Sequence, residues 1–341
     1  MNPDISLAVQ EKAVLILAEI KKAKSILLHC HPSPDPDSVG SALAMKFALE
    51  QIGKKATVIK GDSEFPAGFR HFPRAGEIVE KSFFEIDLKE FDLFIVLDSA
   101  RIEMVSRRGK VEFPETLKAI TIDHHLTNGQ FGSINLVDPS YPATCQLLFD
   151  LFHIWEVKIT PEIASNLFIG MYTDTGGFKY LVNDAAKTYR IAAYLVSLIP
   201  DVSKLILMME NSEKPDFLFF EAEALGNIEI VGGGKVALSF VPLSYVKEKN
   251  ISINSIRVSD VAVQMLTVAE WEVVASAVEI EPNKIKFSFR SKNNGEKYDV
   301  AALTAALGGG GHRAAAGLIL EKPYNEAKKV VVEKMKEMYN L

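Results

Sequence analysis

Cysteine is nearly absent: Cys30 and Cys145 are the whole complement in 341 residues. That is too few for a disulfide framework and too sparse for a zinc ribbon, so a reducing compartment is expected. Long apolar runs are missing as well. No stretch reaches the ~18–20 residues that a membrane span needs, and no membrane partner is expected. The opening Met-Asn-Pro-Asp-Ile-Ser lacks a basic region followed by an apolar stretch, which makes the cytoplasm the expected compartment. Positive charge is not in excess: 38 Lys and Arg against 44 Asp and Glu leave a net charge of −6. A general basic surface gripping long duplex nucleic acid is therefore not expected, whereas small anionic substrates held by metals remain compatible. Internal repeats are absent, and low complexity is confined to two short glycine runs.

What is present is core material, with 48% hydrophobic and 24% charged residues. The length exceeds the ~250–300 residues at which single cores usually stop growing, so two domains are expected. Apolar runs over 25–31, 56–60, 93–98 and 119–123 read as strands, with a helix over 38–52 started by Asp37-Ser38 and kept slim by Gly40 and Ala44. This is the rhythm of a parallel α/β sheet. Helical periodicity resumes over 144–154, 161–171 and 185–198. A connector follows over 199–223, and then strands over 228–231, 236–241, 272–280 and 285–290 with helices over 258–267 and 298–307. The fold class is α/β: a parallel-sheet domain over 1–198, the connector, and a smaller α/β domain over 224–341.

The chemistry concentrates at strand exits, where open α/β sheets bind their ligands. His31, Asp35 and Asp37 crowd onto the exit of the first strand. Asp98 closes a buried run, where an unpartnered carboxylate would be costly. Asp123, His124 and His125 end another strand, and Asp174 stands in Thr-Asp-Thr-Gly-Gly. Singly, these residues have bland readings as turn formers or helix caps. Together they suffice for two divalent metals sharing a bridging carboxylate, an arrangement used for in-line attack on phosphate esters. His29 reads as a packing or supporting residue and Cys30 as a buried strand residue. In the second domain the glycine run 308–311, with Gly309, Gly310 and Gly311 followed by His312, lies between apolar segments, so it reads as an anion-approaching loop and not as a linker. It lacks the Gly-Lys-Ser/Thr ending of a nucleoside-triphosphate loop. Arg290 and Ser291 end a strand one helix earlier and form a candidate phosphate clamp. Gly232 to Gly234 reads as a hairpin turn.

These segments closely resemble the DHH phosphoesterase family, in its branch with a C-terminal DHH-associated domain. The matching segments are 31–41, Asp98, Asp123 to His125, 173–178, Arg290-Ser291 and 308–317, in order over nearly the whole chain. Within the family the chain is similar to stand-alone nanoRNases that also remove the 3′-phosphate of 3′-phosphoadenosine 5′-phosphate. Related phosphodiesterases of cyclic di-AMP or its linear product pApA are the alternative. A nucleotide-binding sensor without turnover and a pyrophosphatase are further alternatives, the latter opposed by the glycine-His segment. The resemblance implies two Mn2+ ions, with Mg2+ or Co2+ as substitutes. One would be held by His31, Asp35 and Asp98, the other by Asp37, Asp98, His124 and Asp174, with Asp98 bridging. It implies His125 and Asp123 as catalytic residues, His125 meeting a phosphoryl oxygen or the leaving group. Arg290, Ser291, Gly309, Gly310, Gly311 and His312 would hold the far end of the nucleotide, and closure of the two domains would complete the site. Short RNA or small nucleotides are the implied partners, and a homodimer stays open. Ser38 departs from the alanine common at its position, and Arg101 has no assigned role.

Overall fold

The computed structural model describes residues 5–63, 65, 67–181, 183–211 and 214–340. Residues 1–4, which open the segment read for a secretory signal, lie outside the described residues, as do Ser212 and Glu213 of the expected connector. The chain divides into two compact units, Met1–Ser212 and Glu213–Leu341.

The first unit contains α1 (Leu7–Lys22), β1 (Ser25–His29), α2 (Pro36–Gln51), β2 (Lys55–Ile59), β3 (Leu93–Leu97), β4 (Lys118–Asp123), β5 (Ile134–Val137), α3 (Thr144–Ile154), α4 (Pro161–Asp174), α5 (Ala185–Leu198) and α6 (Val202–Glu210). Its five strands are all parallel, in the order β2-β1-β3-β4-β5. The order reverses between β1 and β3, so a crevice opens at their carboxyl ends. Side-chain alternation divides the strands between two cores. Ile26, Leu28, Ile95 and Ile122 face the helices. Leu27, Phe94 and Val96 face the segment over 60–117, which contributes Phe83, Phe91, Val105 and Val111. Each fully buried aliphatic side chain is worth about 1.5–3 kcal/mol relative to exposure. A Cβ at Gly170 of α4 would stand 2.3 Å from Cys145 Sγ and 2.7 Å from Asp37 Oδ1, so only glycine lets α4 approach α2 and α3 at this point.

One local reading is corrected. The α2 cap is Asp35, whose carboxylate accepts from Ser38 N–H at 2.9 Å with Pro36 opening the helix; Asp37 lies inside the first turn and is buried. Within the stretch expected as a connector, over 199–223, α6 packs on α4 within the first unit, and its Leu205 joins that unit's core.

The second unit contains α7 (Pro215–Gly226), β6 (Ile228–Val231), β7 (Val236–Val241), α8 (Leu243–Glu248), α9 (Val258–Met265), β8 (Val273–Glu281), β9 (Lys284–Ser291), α10 (Val300–Ala305), β10 (Gly310–His312), β11 (Ala315–Glu321) and α11 (Tyr324–Tyr339). Its sheet runs β10-β11-β9-β8-β7-β6 and is antiparallel except for β7–β8. α10 and α11 cover one face through Val300, Leu303, Val331 and Met335. α7, α8 and α9 cover β7 and β8 on the other through Phe220, Val246 and Val261. The glycine run passes from the turn after α10, at Gly308 and Gly309, into the edge strand β10 at Gly310 and Gly311. Gly311 needs glycine because a Cβ there would meet the β11 backbone at 2.5 Å, with φ at +146°. Among the described residues no single helix is long and apolar enough to cross a membrane.

Candidate metal centre

His31, two residues beyond β1, turns Nε2 to within 3.2 Å of Asp35 Oδ2 and 3.7 Å of Asp98 Oδ2. His124, just beyond β4, places Nε2 3.2 Å from Asp174 Oδ2 and 3.7 Å from Asp98 Oδ1. The two oxygens of Asp98 therefore face two different histidines. Candidate ligand atoms gather within 4.8 Å of one another in three overlapping groups: His31, Asp35 and Asp98; Asp37, His124 and Asp174; and Asp98, Asp123, His124 and His125.

The backbone pays locally for this convergence. Asp98 follows β3 with φ at +50°, a left-handed conformation that aspartate tolerates better than most residues. Asp37 is gripped at the N-terminus of α3, where Thr144 N–H donates to Oδ2 at 2.7 Å and Cys145 N–H to Oδ1 at 3.0 Å. Helix starts offer such unsatisfied donors to anions. Thr144 Oγ1 also donates to Asp98 Oδ1 at 3.1 Å. His124 Nδ1 donates to the Tyr141 carbonyl at 3.2 Å, leaving Nε2 for a ligand role. His125 Nδ1 donates to Asp123 Oδ1 at 2.7 Å, and Asn128 Nδ2 donates to Asp123 Oδ2 at 2.7 Å. The Ser38 hydroxyl, where alanine was expected, accepts from His31 N–H at 3.0 Å and so pins the loop. His29 is buried edge-on to Phe94, its Nε2 3.4 Å from Ser99 Oγ.

Thr144, Asn128 and the Tyr141 carbonyl were not singled out by sequence. Thr144 read only as a helix residue, and a carbonyl carries no side-chain signal. The Asn128 amide, three residues after the His-His pair, was the one legible clue.

The carboxyl groups of the centre raise one another's proton affinity. Burial, then the neighbouring Asp37 and Asp35, pushes the Asp98 carboxyl well above the usual range. The same causes raise Asp174 to about 8. Asp174 is also the last residue of α4, at the negative end of the helix dipole. Burial raises Asp37 too. Asp123 differs: burial pushes it up, but the His125 hydrogen bond and charge and the Asn128 amide outweigh that and hold it low. The hydrogen bond to Asp123 raises His125 in turn. Such crowded carboxylates ionise together only with compensating positive charge. Hard oxygens with imidazole and no thiolate suit a divalent ion such as manganese or magnesium. Both cysteines are buried outside these groups.

The description "DHH family, N-terminal domain" matches residues 25–171, and "DHHA1 domain" matches residues 233–340. A Thermus thermophilus protein named bifunctional oligoribonuclease and PAP phosphatase NrnA is 30% identical over 328 residues, spanning 94% of this chain and 93% of that protein. The chain belongs to the DHH family. A Bacillus subtilis protein of the same name is 23% identical, over 93% of this chain and 96% of its own. The crystal structure of an exopolyphosphatase-related protein from Bacteroides fragilis shares the fold, with a TM-score of 0.86 at 24% identity and 97% of each chain covered. This DHH chain is accordingly a phosphoesterase, a hydrolase.

In the second unit, register places Arg290, Ala315 and His312 side by side on β9, β11 and β10, which puts them on one face of the sheet. Arg290 is half-buried, and its Nη1 donates to Ser288 Oγ at 3.1 Å and to the Phe289 carbonyl at 2.9 Å. Ser291 is buried, with its hydroxyl donating to the Lys292 carbonyl at 3.4 Å. The N–H of Gly309 donates to the Thr304 carbonyl at 2.7 Å, closing α10, whereas Gly310, Gly311 and His312 are exposed on the edge strand.

Proposed function

We propose that the chain hydrolyses short oligoribonucleotides and the 3′-phosphate of 3′-phosphoadenosine 5′-phosphate, using two manganese ions. Asp98 carries this reading, because its two oxygens face His31 on one side and His124 on the other. The names of the relatives supply the substrate class. His31, Asp35 and Asp98 would hold one ion, and Asp37, Asp98, His124 and Asp174 the other. When bound, the ions supply charge that offsets the negative charge growing on the phosphoryl oxygens and favour ionisation of the attacking water. The chain's own residues do the rest. Asp123 holds His125 through Nδ1 and favours its protonated form, so the partly exposed imidazole is ready to donate from Nε2 to a phosphoryl oxygen or the leaving group. Asn128 fixes Asp123 from the far side. Arg290, His312 and the exposed Gly310 and Gly311 backbone form the nucleotide-capture surface of the second unit, with buried Ser291 bracing the strand.

The deciding experiment is a manganese-supported panel of dinucleotide RNA, 3′-phosphoadenosine 5′-phosphate, linear pApA and cyclic di-AMP, resolved by product chromatography. Release of mononucleotides and of adenosine 5′-monophosphate from the first two supports the reading. Preference for cyclic di-AMP or pApA replaces it, and phosphate release from pyrophosphate alone, or no turnover, overturns it. Capture by the second unit is tested with Arg290→Ala and His312→Ala. Each should cost about one to two decades in kcat/KM on a dinucleotide, the scale of a lost charge-assisted hydrogen bond, and leave bis-nitrophenyl phosphate unaffected. Equal losses on both substrates would reject the capture role.

A further inference from the structure

A buried charged cluster lies behind the metal centre, unused by the chemistry above. Lys187 of α5 and Asp150 of α3 form an ion pair, Nζ to Oδ2 at 2.6 Å, with Asp150 fully buried and Lys187 8% exposed. The Tyr141 hydroxyl donates to the same Asp150 oxygen at 2.6 Å, and Lys187 Nζ sits 4.8 Å from the centre of the Tyr141 ring. Buried ion pairs rarely raise stability over an apolar replacement, so a pair in this position asks for another role.

The other end of Tyr141 suggests that role. Its carbonyl accepts the Nδ1 proton of His124. The backbone between is tied down, with Tyr141 N–H donating to the Asp138 carbonyl at 3.2 Å and Asp138 N–H to the Asp123 carbonyl at 3.1 Å. On its outer side Tyr141 borders a cavity of about 310 Å³ that also touches Asp138, Gln146 and Lys187. The ring is otherwise buried in the first unit's core, and the hydroxyl bond to Asp150 fixes its tip.

We infer that Lys187, Asp150 and Tyr141 are positioning residues for His124: the ion pair anchors the Tyr141 side chain, and the Tyr141 carbonyl then fixes the Nδ1–H tautomer and ring orientation that leave Nε2 for metal. The inference rests on His124 being a metal ligand, as proposed above. It does not depend on which ester is cleaved.

The test uses the full chain freed of metal and titrated calorimetrically with manganese(II) chloride. Tyr141→Phe removes only the hydroxyl, and the double variant Asp150→Leu/Lys187→Met replaces the ion pair with apolar volume. Each should bind manganese ten- to a hundredfold more weakly, the range for losing a partner behind a metal-binding histidine. Nitrogen NMR of the His124 ring should show a mixture of tautomers in place of one. Thermal melting identifies folded variants, and if Tyr141→Phe does not fold, the double variant decides. A folded variant that binds manganese as tightly as the parent, or keeps a single Nδ1–H tautomer, overturns the inference. His124→Ala serves as the control: unchanged manganese affinity there would instead reject the ligand assignment itself.

Discussion

Asp98 combines features that each carry a cost: full burial, a left-handed backbone and three or more neighbouring carboxylates. Asparagine adopts the same backbone readily but carries no charge. Asp98→Asn should therefore fold and, without metal, melt at or above the parent temperature at pH 8. Turnover should fall by at least about two decades, the scale for removing one electrostatic stabiliser of a transition state. Asp35→Ala and Asp37→Ala should lose activity less completely, since neither carboxylate faces both histidines. Melting curves and initial rates with manganese check this, and near-normal turnover in Asp98→Asn would sink the two-ion reading. Asp174 adds a pH dependence. With its carboxyl raised to about 8, the metal-free site holds that proton at pH 6 and releases it as pH rises through 8. Protons and metal compete, so manganese affinity should climb between pH 6 and 8 and then level. Calorimetry in buffers of different ionisation enthalpy should record proton release on binding at pH 7, and affinity flat over that range would contradict the expectation.

α3 is the element on which the centre leans. Its first turn holds Asp37 and Asp98, and two turns later Asp150 reaches Lys187 of α5. Gly170 of α4 lets the helices close around Asp37. Gly170→Ala should cost about 1–3 kcal/mol by overpacking and weaken manganese binding, since the added methyl meets both Asp37 and Cys145. Denaturant unfolding and metal titration measure the two effects. The edge strand β10 offers an internal contrast. A methyl at Gly310 meets nothing within 4 Å, whereas at Gly311 it meets the β11 backbone. Gly311→Ala should destabilise the second unit and Gly310→Ala should not. Equal stability losses would mean that the glycines are not there for strand approach.

At the scale of the molecule the work divides between two compact units. The candidate ligands all belong to the first, and metal stabilises only what binds it, by about 2.7 kcal/mol at a hundredfold excess over Kd. Manganese should therefore slow amide hydrogen exchange around 29–38, 95–100, 121–128, 141–146 and 168–176. Peptides from 214–340 should be unchanged. Mass-resolved exchange with and without the ion reads this directly, and protection confined to the second unit would move the metal elsewhere.

Much of this architecture was legible along the chain, because a strand's period of two and a helix's of 3.6 are local properties of sequence. The helices over 144–154 and 185–198 and the strands over 228–231 and 236–241 keep their expected bounds, while β10 was missed because three exposed residues, two of them glycine, carry no apolar alternation. The carboxylates and imidazoles stood out for a similar reason: charged groups at the ends of buried runs are visible wherever the chain goes. What tertiary structure alone decided is which atom meets which. The bond from Thr144 N–H to Asp37 spans 107 residues, the His124 partner is a backbone carbonyl that any residue could supply, and Asp150 and Lys187 meet across 37 residues. Periodicity encodes which face a side chain occupies. It does not encode the distance between faces, and metal-ligand geometry depends on that distance.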